Sequence, residues 1–329
     1  MLDADVEVER RSFVVRASLS VGAGSRLALF GPSGAGKTTV LEAIAGLVPL
    51  RRGSVVLGGA DVTSLPPWRR RIGLLRQDPG LFPHLSVRDN LLYGRGTSVA
   101  ELPGLAAELG IAELLPSMPA RLSGGQAHRV ALGRLLLAHC DALLLDEPYS
   151  GLDAVLRRTL TSLVVSLVRE RSVPAVLVAH ELSDAQAFAD RLAVIDGGSV
   201  LQVGSPSSVV LRPASRRVAS LVGYLGFVPS GPEGAVAGVH PEGTVAGVHP
   251  ERVVPGAYPS RGLVLSGDVV GLRPSGAGWD ADLRVRDALV TCRLPERPDG
   301  VSTVVTVLDP PFFGPDGTLL APVRNAVET

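Results

Sequence analysis

The sequence reads Gly31-Pro32-Ser33-Gly34-Ala35-Gly36-Lys37-Thr38 between an apolar segment and a segment of helical periodicity. This octapeptide fits the pattern G-x-x-x-x-G-K-S/T at every fixed position. Residues 26–30 before it predict a short buried strand, and residues 39–47 after it predict a helix. Backbone N–H groups and a helix dipole converge in such a strand–loop–helix unit, so the sequence predicts a phosphate-binding loop.

Lys37 and Thr38 are predicted to recognise the ligand of this loop. Lys37 is the only lysine in the sequence, and the other cations counted with it are arginines. A compact ammonium fits beneath a phosphate where a planar guanidinium is too wide, so we expect Lys37 to reach the outer phosphates. The Thr38 hydroxyl is predicted to ligate Mg²⁺. The predicted phosphate contacts are Gly31, Pro32, Ser33, Gly34, Ala35, Gly36, Lys37, Thr38 and Thr39.

Two acidic residues follow a second apolar run. Residues 142–145 predict a strand buried on both faces of a parallel sheet, and Asp146 and Glu147 come next. Carboxylates at the carboxyl end of such a strand lie where ligands of open α/β sheets bind. We expect Asp146 to hold Mg²⁺ and Glu147 to accept a proton from the attacking water. Two solvated acids in a turn before Pro148 are the alternative.

Three further features leave alternatives open. Ser123 and Gln126 form a capping box whose next two residues, Gly124 and Gly125, leave a helix N-terminus bare of side chains, so that a phosphate could approach it. An ordinary capped helix explains the same residues equally well. His180 follows the apolar run 175–179 and could donate to a γ-phosphate, although such a histidine is more often structural. Phe13 could stack on an adenine ring or belong to the core.

Composition restricts the class of protein. A length of 329 residues predicts two domains, and the balance of 32 basic against 32 acidic residues argues against a nucleic-acid surface. The acidic N-terminus predicts no signal peptide, and the longest apolar run is too short to cross a bilayer, so we expect a soluble protein. Cys140 and Cys292 predict buried thiols in a reducing cytoplasm and no disulfide.

The pattern of elements predicts two folded parts. Residues 6–20 indicate antiparallel strands, and a compact helical insert is expected at about residues 85–140. Gly and Pro mark a linker over residues 226–244. The heptapeptide VAGVHPE occurs twice, at residues 236–242 and 245–251, which we interpret as a local duplication. Residues 245–329 alternate valine-rich strands with Gly/Pro turns and predict a small all-β, barrel-like domain.

Together these motifs resemble the ATP-binding subunit of an ABC transporter over roughly residues 1–225. The matching motifs are the Walker A loop (Gly31 to Thr38), the Q-loop glutamine (Gln77), the LSGGQ signature (Leu122 to Gln126), Walker B and the catalytic glutamate (Asp146 and Glu147), the D-loop (Ser150 to Asp153) and the switch histidine (His180). The resemblance implies a P-loop ABC ATPase fold with an antiparallel β subdomain and a helical insert, followed by a small OB-like domain.

The resemblance also implies how the residues work. ATP and Mg²⁺ are the expected cofactors. Two copies would face each other head to tail, so that Ser123, Gly124, Gly125 and Gln126 of one copy close over the ATP held by the other. Asp153 would contact the nucleotide. Gln77 would act both in catalysis and as a metal ligand, and His180 would act in catalysis with Glu147.

Within this family the sequence looks like an importer subunit. Residues 81–87 resemble the segment that contacts the permease, and Gly247 to Glu251 resemble part of the OB-like accessory domain of molybdate, sulfate, iron and sugar importers. The compact insert and a reduced N-terminal turn make the molybdate/sulfate type the nearest, with molybdate ahead of sulfate. Iron, polyamine or sugar importers and a non-transport ABC ATPase are the alternatives. The expected partners are a second copy, membrane permease subunits and, indirectly, an external solute-binding protein, and no nucleic acid is expected. The chain itself is expected at the cytoplasmic face of the cell membrane.

Overall fold

The computed structural model describes residues 1–10, 13–94, 96–229, 244–256, 262–276, 278–285, 287–298, 300, 302–308 and 310–320. The chain divides into two compact units, Met1–Pro206 and Ser207–Thr329. The predicted division at residue 225 stays a prediction. The first copy of the repeat, at residues 236–242, and most of the predicted linker lie outside the described residues.

The first unit contains a sheet of ten strands. They are β1 (Leu2–Glu9), β2 (Val14–Val21), β3 (Arg26–Phe30), β4 (Arg52–Leu57), β5 (Ala60–Asp61), β6 (Ile72–Leu75), β7 (Ala142–Asp146), β8 (Ala175–Ala179), β9 (Arg191–Asp196) and β10 (Ser199–Gly204). Their spatial order is β5-β4-β1-β2-β10-β9-β3-β8-β7-β6. The strands β9, β3, β8, β7 and β6 are parallel neighbours, whereas β1 pairs with β2 and β4 in antiparallel register.

Burial follows the sequence pattern. Every residue of β3, β7 and β8 is buried, as expected for the central strands of a parallel sheet covered on both faces. In β1 and β2, apolar residues alternate with polar ones, and the apolar set joins the core that also contains residues of the helix after the phosphate-binding loop. The predicted antiparallel strand pair at residues 6–20 is therefore confirmed.

The helices are α1 (Lys37–Ala45), α2 (Val87–Leu91), α3 (Leu102–Glu108), α4 (Gly124–Leu137), α5 (Ala154–Glu170), α6 (Leu182–Phe188), α7 (Pro206–Leu211) and α8 (Arg216–Leu221). Within the predicted insert, α3 begins at Leu102, which places Pro103 in the first turn, where a helix tolerates proline.

The second unit is antiparallel and all-β after its two helices. Its strands are β11 (Gly226–Pro229), β12 (Val245–Val248), β13 (Val253–Pro255), β14 (Gly262–Ser275), β15 (Gly278–Val285), β16 (Ala288–Leu294), β17 (Ser302–Leu308) and β18 (Phe312–Phe313). They form the sheets β11-β12-β18 and β13-β17-β14-β15-β16. This arrangement is consistent with the predicted OB-like domain.

The first four residues of the predicted linker belong to a strand instead. Gly226–Pro229 pairs with Val245–Val248. Val228 is 4% exposed, and the ring of Phe227 lies 5.8 Å from that of Phe313. Burial of Val228 and the ring contact of the half-buried Phe227 stabilise this strand despite the neighbouring glycine and proline.

Two other expectations concern membrane-spanning segments and the cysteine thiols. Among the described residues, no helix combines the length and the apolar character that crossing a bilayer requires. Both cysteines are free, as predicted. Cys292 is buried, which raises the pKa of its thiol to about 12, while Cys140 is half-buried.

Candidate functional site

The parallel strands bring the predicted site residues to one edge of the sheet. Phe30, the last residue of β3, lies opposite Ala179 of β8, and Asp146 of β7 lies opposite Val178. The phosphate-binding loop, His180 and Glu147 follow these strand ends directly. A site can therefore form beyond the carboxyl ends of the central strands, where open α/β sheets bind ligands.

The loop packs too closely on its neighbours to carry side chains at two positions. A Cβ on Gly31 would lie 1.9 Å from the backbone oxygen of Ile195. Gly36, with φ of 100°, precedes α1, and a Cβ there would lie 2.8 Å from a methyl carbon of Val15. Glycine is the residue that satisfies both the close approach and the left-handed backbone.

Lys37 lies across this loop. Its Nζ donates to the carbonyl oxygens of Gly31 at 2.7 Å and Pro32 at 2.9 Å, and the residue is 6% exposed. Burial lowers the pKa of the Lys37 ammonium, while the carboxylates of Glu147 and Asp146 act in the opposite direction. The only lysine of the sequence is thus held inside the loop, near the two predicted acids.

A cleft of about 540 Å³ opens above the loop. Its lining is Arg10, Phe13, Ser33, Gly34, Gly36, Lys37, Thr38, Thr39, Gln77 and Glu147. The structure therefore brings together the loop, the Q-loop glutamine, the candidate base and the candidate adenine-stacking residue. Phe13 also packs against the core of the unit, so both of its predicted roles remain compatible with its position.

Asp146 has the properties of a metal ligand. It is 2% exposed, and its Oδ1 has no hydrogen-bond partner among the described residues. Burial raises the pKa of the Asp146 carboxyl, and the Thr38 hydroxyl beside it acts against that shift. A buried, unsatisfied carboxylate oxygen next to a hydroxyl suits Mg²⁺, which prefers oxygen ligands.

The metal would need ligands from outside the protein as well. In the part of the chain that the structure describes, no group of three His, Cys, Asp or Glu side chains could hold a metal ion. Mg²⁺ characteristically binds through one or two protein oxygens plus phosphates and water. Thr38, Asp146 and Gln77 fit that mode, since Thr38 and Gln77 line the cleft.

Glu147 has a strained backbone. Its φ is 50°, in the left-handed region that non-glycine residues rarely adopt. The conformation is held by a bond from its N–H to the oxygen of Val178 at 3.2 Å and by one from the N–H of Ser150 to its own oxygen at 3.2 Å. Strain of this kind costs about 1–3 kcal/mol and persists mainly at functional sites. Glu147 also lines a second cavity, of about 140 Å³, together with the exposed His180.

The signature residues lie outside the cleft. Ser123 caps α4, with the Gln126 N–H donating to its Oγ at 3.3 Å and its own N–H donating to Gln126 Oε1 at 2.8 Å. Gly124 is exposed, and a Cβ on it would meet no atom within 4 Å. Asp153 caps α5 by accepting from Val155 and Leu156, which lowers its pKa. Neither Ser123 to Gln126 nor Asp153 is among the described residues that line the cleft.

The segment predicted to contact a partner is half-buried. Phe82 and Leu85 are only partly accessible, while Pro83 and His84 are exposed. Asn90, itself 0% exposed, accepts from the Phe82 N–H at 2.8 Å and donates to the Leu85 oxygen at 3.0 Å. This side chain fixes the segment and turns its apolar residues partly inward.

Arg134 of α4 also holds this segment. Its guanidinium donates to the oxygens of Gly80 at 3.0 Å and Pro79 at 3.1 Å. It also lies over the Phe82 ring, 5.4 Å from its centre. The helix that begins with the signature is thereby tied to the residues that follow Gln77.

Arg10 is a residue of the cleft that sequence reasoning missed. It follows β1, and its N–H donates to the oxygen of Phe13 at 2.9 Å, so the two residues lie side by side. The alternation of residues 6–9 predicts the strand, and a hairpin would place Arg10 near Phe13. Its side-chain partners lie about thirty residues away in sequence, and no local pattern reveals them.

Comparison with known proteins gives consistent results. Residues 14–150 match the model of the ABC transporter family. The sn-glycerol-3-phosphate import ATP-binding protein UgpC of Vibrio cholerae is 41% identical over 221 residues, which are 64% of this chain and 59% of that protein. The spermidine/putrescine import ATP-binding protein PotA of Frankia alni is 41% identical over 217 residues, 64% of this chain and 47% of that protein. The chain spans between about half and three fifths of the length of these relatives.

Solved structures agree with the fold. An ATP-binding subunit of an ABC transporter superposes with a TM-score of 0.59 at 26% identity, covering 68% of this chain and 95% of that one. A dimeric ATP-binding cassette in a post-hydrolysis state, bound to ADP and Pi, superposes with a TM-score of 0.54 at 26% identity, covering 63% and 99%.

Proposed function

We propose that this chain, which has the fold and the sequence motifs of ABC transporter ATPases, hydrolyses ATP to drive solute import through a membrane permease. The observation that carries the proposal is the convergence of three features on one cleft: the phosphate-binding loop, the buried Lys37 and the strained Glu147. The unsatisfied Asp146 lies next to them, beside the Thr38 hydroxyl. A phosphate ester that enters this cleft meets a cation, a metal-binding oxygen and a base.

Each residue of the candidate site has a defined role in this proposal. The N–H groups of the loop and the Lys37 ammonium bind the phosphates, and Thr38, Asp146 and Gln77 hold Mg²⁺. Bound Mg²⁺ supplies charge neutralisation at the phosphates. The Glu147 carboxylate orients the attacking water and accepts its proton, and His180 donates a hydrogen bond to the terminal phosphate. The protein thus contributes position and charge more than covalent chemistry.

A second copy of the chain completes the site in this proposal. The exposed, side-chain-free N-terminus of α4 offers N–H groups to an anion that its own cleft does not hold. In a head-to-tail pair, the N-terminus of α4 would point at the terminal phosphate of the ATP bound to the facing copy. The similar solved structure that is described as dimeric supports the pairing of two copies.

The solute is not determined by the site. The expectation of molybdate or sulfate finds no support in the relatives, which are named for the import of sn-glycerol-3-phosphate or of spermidine and putrescine. The first of these solutes is an anion and the others are cations, although the ATPases are similarly close to this chain. Because the solute would cross through the permease in this proposal, the cleft does not identify it, and we restrict the proposal to an importer of a small charged or polar solute.

The proposal is tested by turnover and its metal dependence. The purified chain should release phosphate from ATP when Mg²⁺ is present, and chelation with EDTA should stop the release. Membranes that contain the permease should raise the rate. No turnover with Mg²⁺, either alone or with such membranes, would overturn the proposal.

Residues 81–85 are proposed to contact the permease. Pro83 and His84 form the exposed part of this segment. His84→Asp should therefore leave the ATPase rate of the isolated chain unchanged and reduce its sedimentation with permease-containing membranes severalfold. Val99→Asp is the control, because Val99 is a 59% exposed apolar residue elsewhere in the insert. Equal sedimentation of both variants and the wild type would contradict this contact.

A further inference from the structure

The residue that follows β1 is a cation at the edge of the cleft. Arg10 lines the cleft together with Phe13 and the phosphate-binding loop. Its Nε donates to the Thr39 Oγ1 at 3.1 Å, and its Nη2 donates to the Glu42 Oε2 at 2.9 Å. The motifs that define the candidate site do not include this arginine.

The guanidinium keeps donors available for a ligand. Arginine has five N–H donors, and the two bonds to Thr39 and Glu42 use only part of them. Nη1 makes no hydrogen bond within the described part of the chain, and the Arg10 side chain is 35% exposed. The side chain is thus anchored on α1 and still open towards the cleft.

The position of Arg10 along the cleft identifies what it would touch. In the proposed function, Lys37 and Glu147 lie at the end of the cleft that receives the outer phosphates. Thr39 lies farther into α1, and Phe13 lies beside Arg10. A nucleotide with its outer phosphates at Lys37 therefore has its inner phosphate near Thr39 and Arg10.

We propose that Arg10 binds the inner phosphate of the nucleotide, an inference that rests on the proposed function. The guanidinium forms a charge-assisted hydrogen bond to an oxygen of the phosphate that ATP and ADP share. Thr39 and Glu42 hold the guanidinium in place. Arg10 therefore contributes to the affinity for both nucleotides and not to their discrimination.

A purely structural role for Arg10 predicts something different. Glu42 forms ion pairs with both Arg10 and Arg76, the latter at 3.3 Å. In a purely structural role, Arg10 would serve only to attach the end of β1 to α1. Replacing Glu42 separates the two roles. Glu42→Gln keeps an oxygen that can accept from the Arg10 Nη2 but removes the negative charge that competes with the phosphate for Arg10. It therefore weakens a purely structural ion pair, whereas a contact with the phosphate is kept or strengthened.

The test compares ATP and ADP binding by titration calorimetry with Mg²⁺ present. Arg10→Gln should weaken both nucleotides by the same factor, about tenfold to a hundredfold, as for the loss of one charge-assisted bond. Arg10→Lys should lose less affinity for both nucleotides than Arg10→Gln. Glu42→Gln should bind both as tightly as the wild type or more tightly, and the matched control Arg76→Gln should stay within about twofold of it, since Arg76 does not line the cleft.

Several results would overturn this inference. Unchanged affinity in Arg10→Gln, a loss confined to ATP, or an equal loss in Glu42→Gln would each exclude a contact with the inner phosphate. Should Arg10→Gln not fold, wild-type affinity in Arg10→Glu, despite its reversed charge, would exclude the contact as well. A wild-type chain that binds neither nucleotide would overturn the proposed function and this inference with it, whereas the variant results overturn the inference alone.

Discussion

Lys37→Ala should weaken ATP binding by about a hundredfold or more, corresponding to the loss of roughly 3 kcal/mol from charge-assisted bonds to the phosphates. The residue is 6% exposed and is the only lysine of the sequence. Its ammonium is held by the loop carbonyls of Gly31 and Pro32 at the wall of the cleft. Titration with ATP and Mg²⁺, together with thermal melting to verify the fold, measures the effect.

Lys37→Arg should weaken ATP binding nearly as much as Lys37→Ala does. The loop surrounds the ammonium closely, and a planar guanidinium needs more width than a point charge. Arg51→Ala, which removes an exposed cation outside the cleft, is the control and should bind ATP normally. ATP affinity and turnover near the wild-type level in Lys37→Arg would refute the width argument, and tight ATP binding by Lys37→Ala would refute the assignment of the loop.

Glu147→Gln should lower ATP turnover by roughly 10²-fold or more while sparing nucleotide affinity, because it removes a general base and keeps the shape of the side chain. Glutamine and glutamate accept the left-handed backbone at this position equally poorly, so the strain at φ of 50° should persist in the variant. Phosphate release and ATP titration on the same preparation separate the two effects.

The control for Glu147→Gln is a second carboxylate of the small cavity. Glu181 lines that cavity with His180 and pairs with Arg157 at 2.7 Å, but it does not line the phosphate cleft. Glu181→Gln should therefore retain most of the turnover. Equal losses in both variants would indicate that overall negative charge, rather than a base at Glu147, supports the reaction.

Sequence reasoning succeeded where one local pattern controls the structure. The continuous apolar runs gave β3 and β8 with their observed bounds, because such runs belong to strands buried on both faces. The S-x-x-Q box at Ser123 gave the start of α4, since its two reciprocal hydrogen bonds are local. Asp153 is a helix cap of the same local kind, and its position before an amphipathic run would have revealed it.

Sequence reasoning failed where contacts between distant residues determine the structure. Gly226–Pro229 looks like a linker by composition, but it pairs with a segment that begins at Val245. Arg10 gains its place in the cleft from Thr39 and Glu42, which are 29 and 32 residues away. The unsatisfied Asp146 Oδ1 and the strained Glu147 are likewise products of tertiary packing. Residues predicted from the sequence thus form most of the lining of the cleft, and their roles stay predictions. The strain, the burial and the extra cation required the fold.

The claim that two copies share the site is tested most directly by light scattering on Glu147→Gln with and without ATP. Slow hydrolysis should leave ATP bound, so the mass should double when ATP is added. Adding Gly124→Asp should abolish the doubling. Asp is favourable in the first turn of α4, and a Cβ at this position meets no atom within 4 Å, but the carboxylate would face the partner's terminal phosphate. A Glu147→Gln chain that stays monomeric in saturating ATP, or a double variant that dimerises equally well, would contradict the shared site.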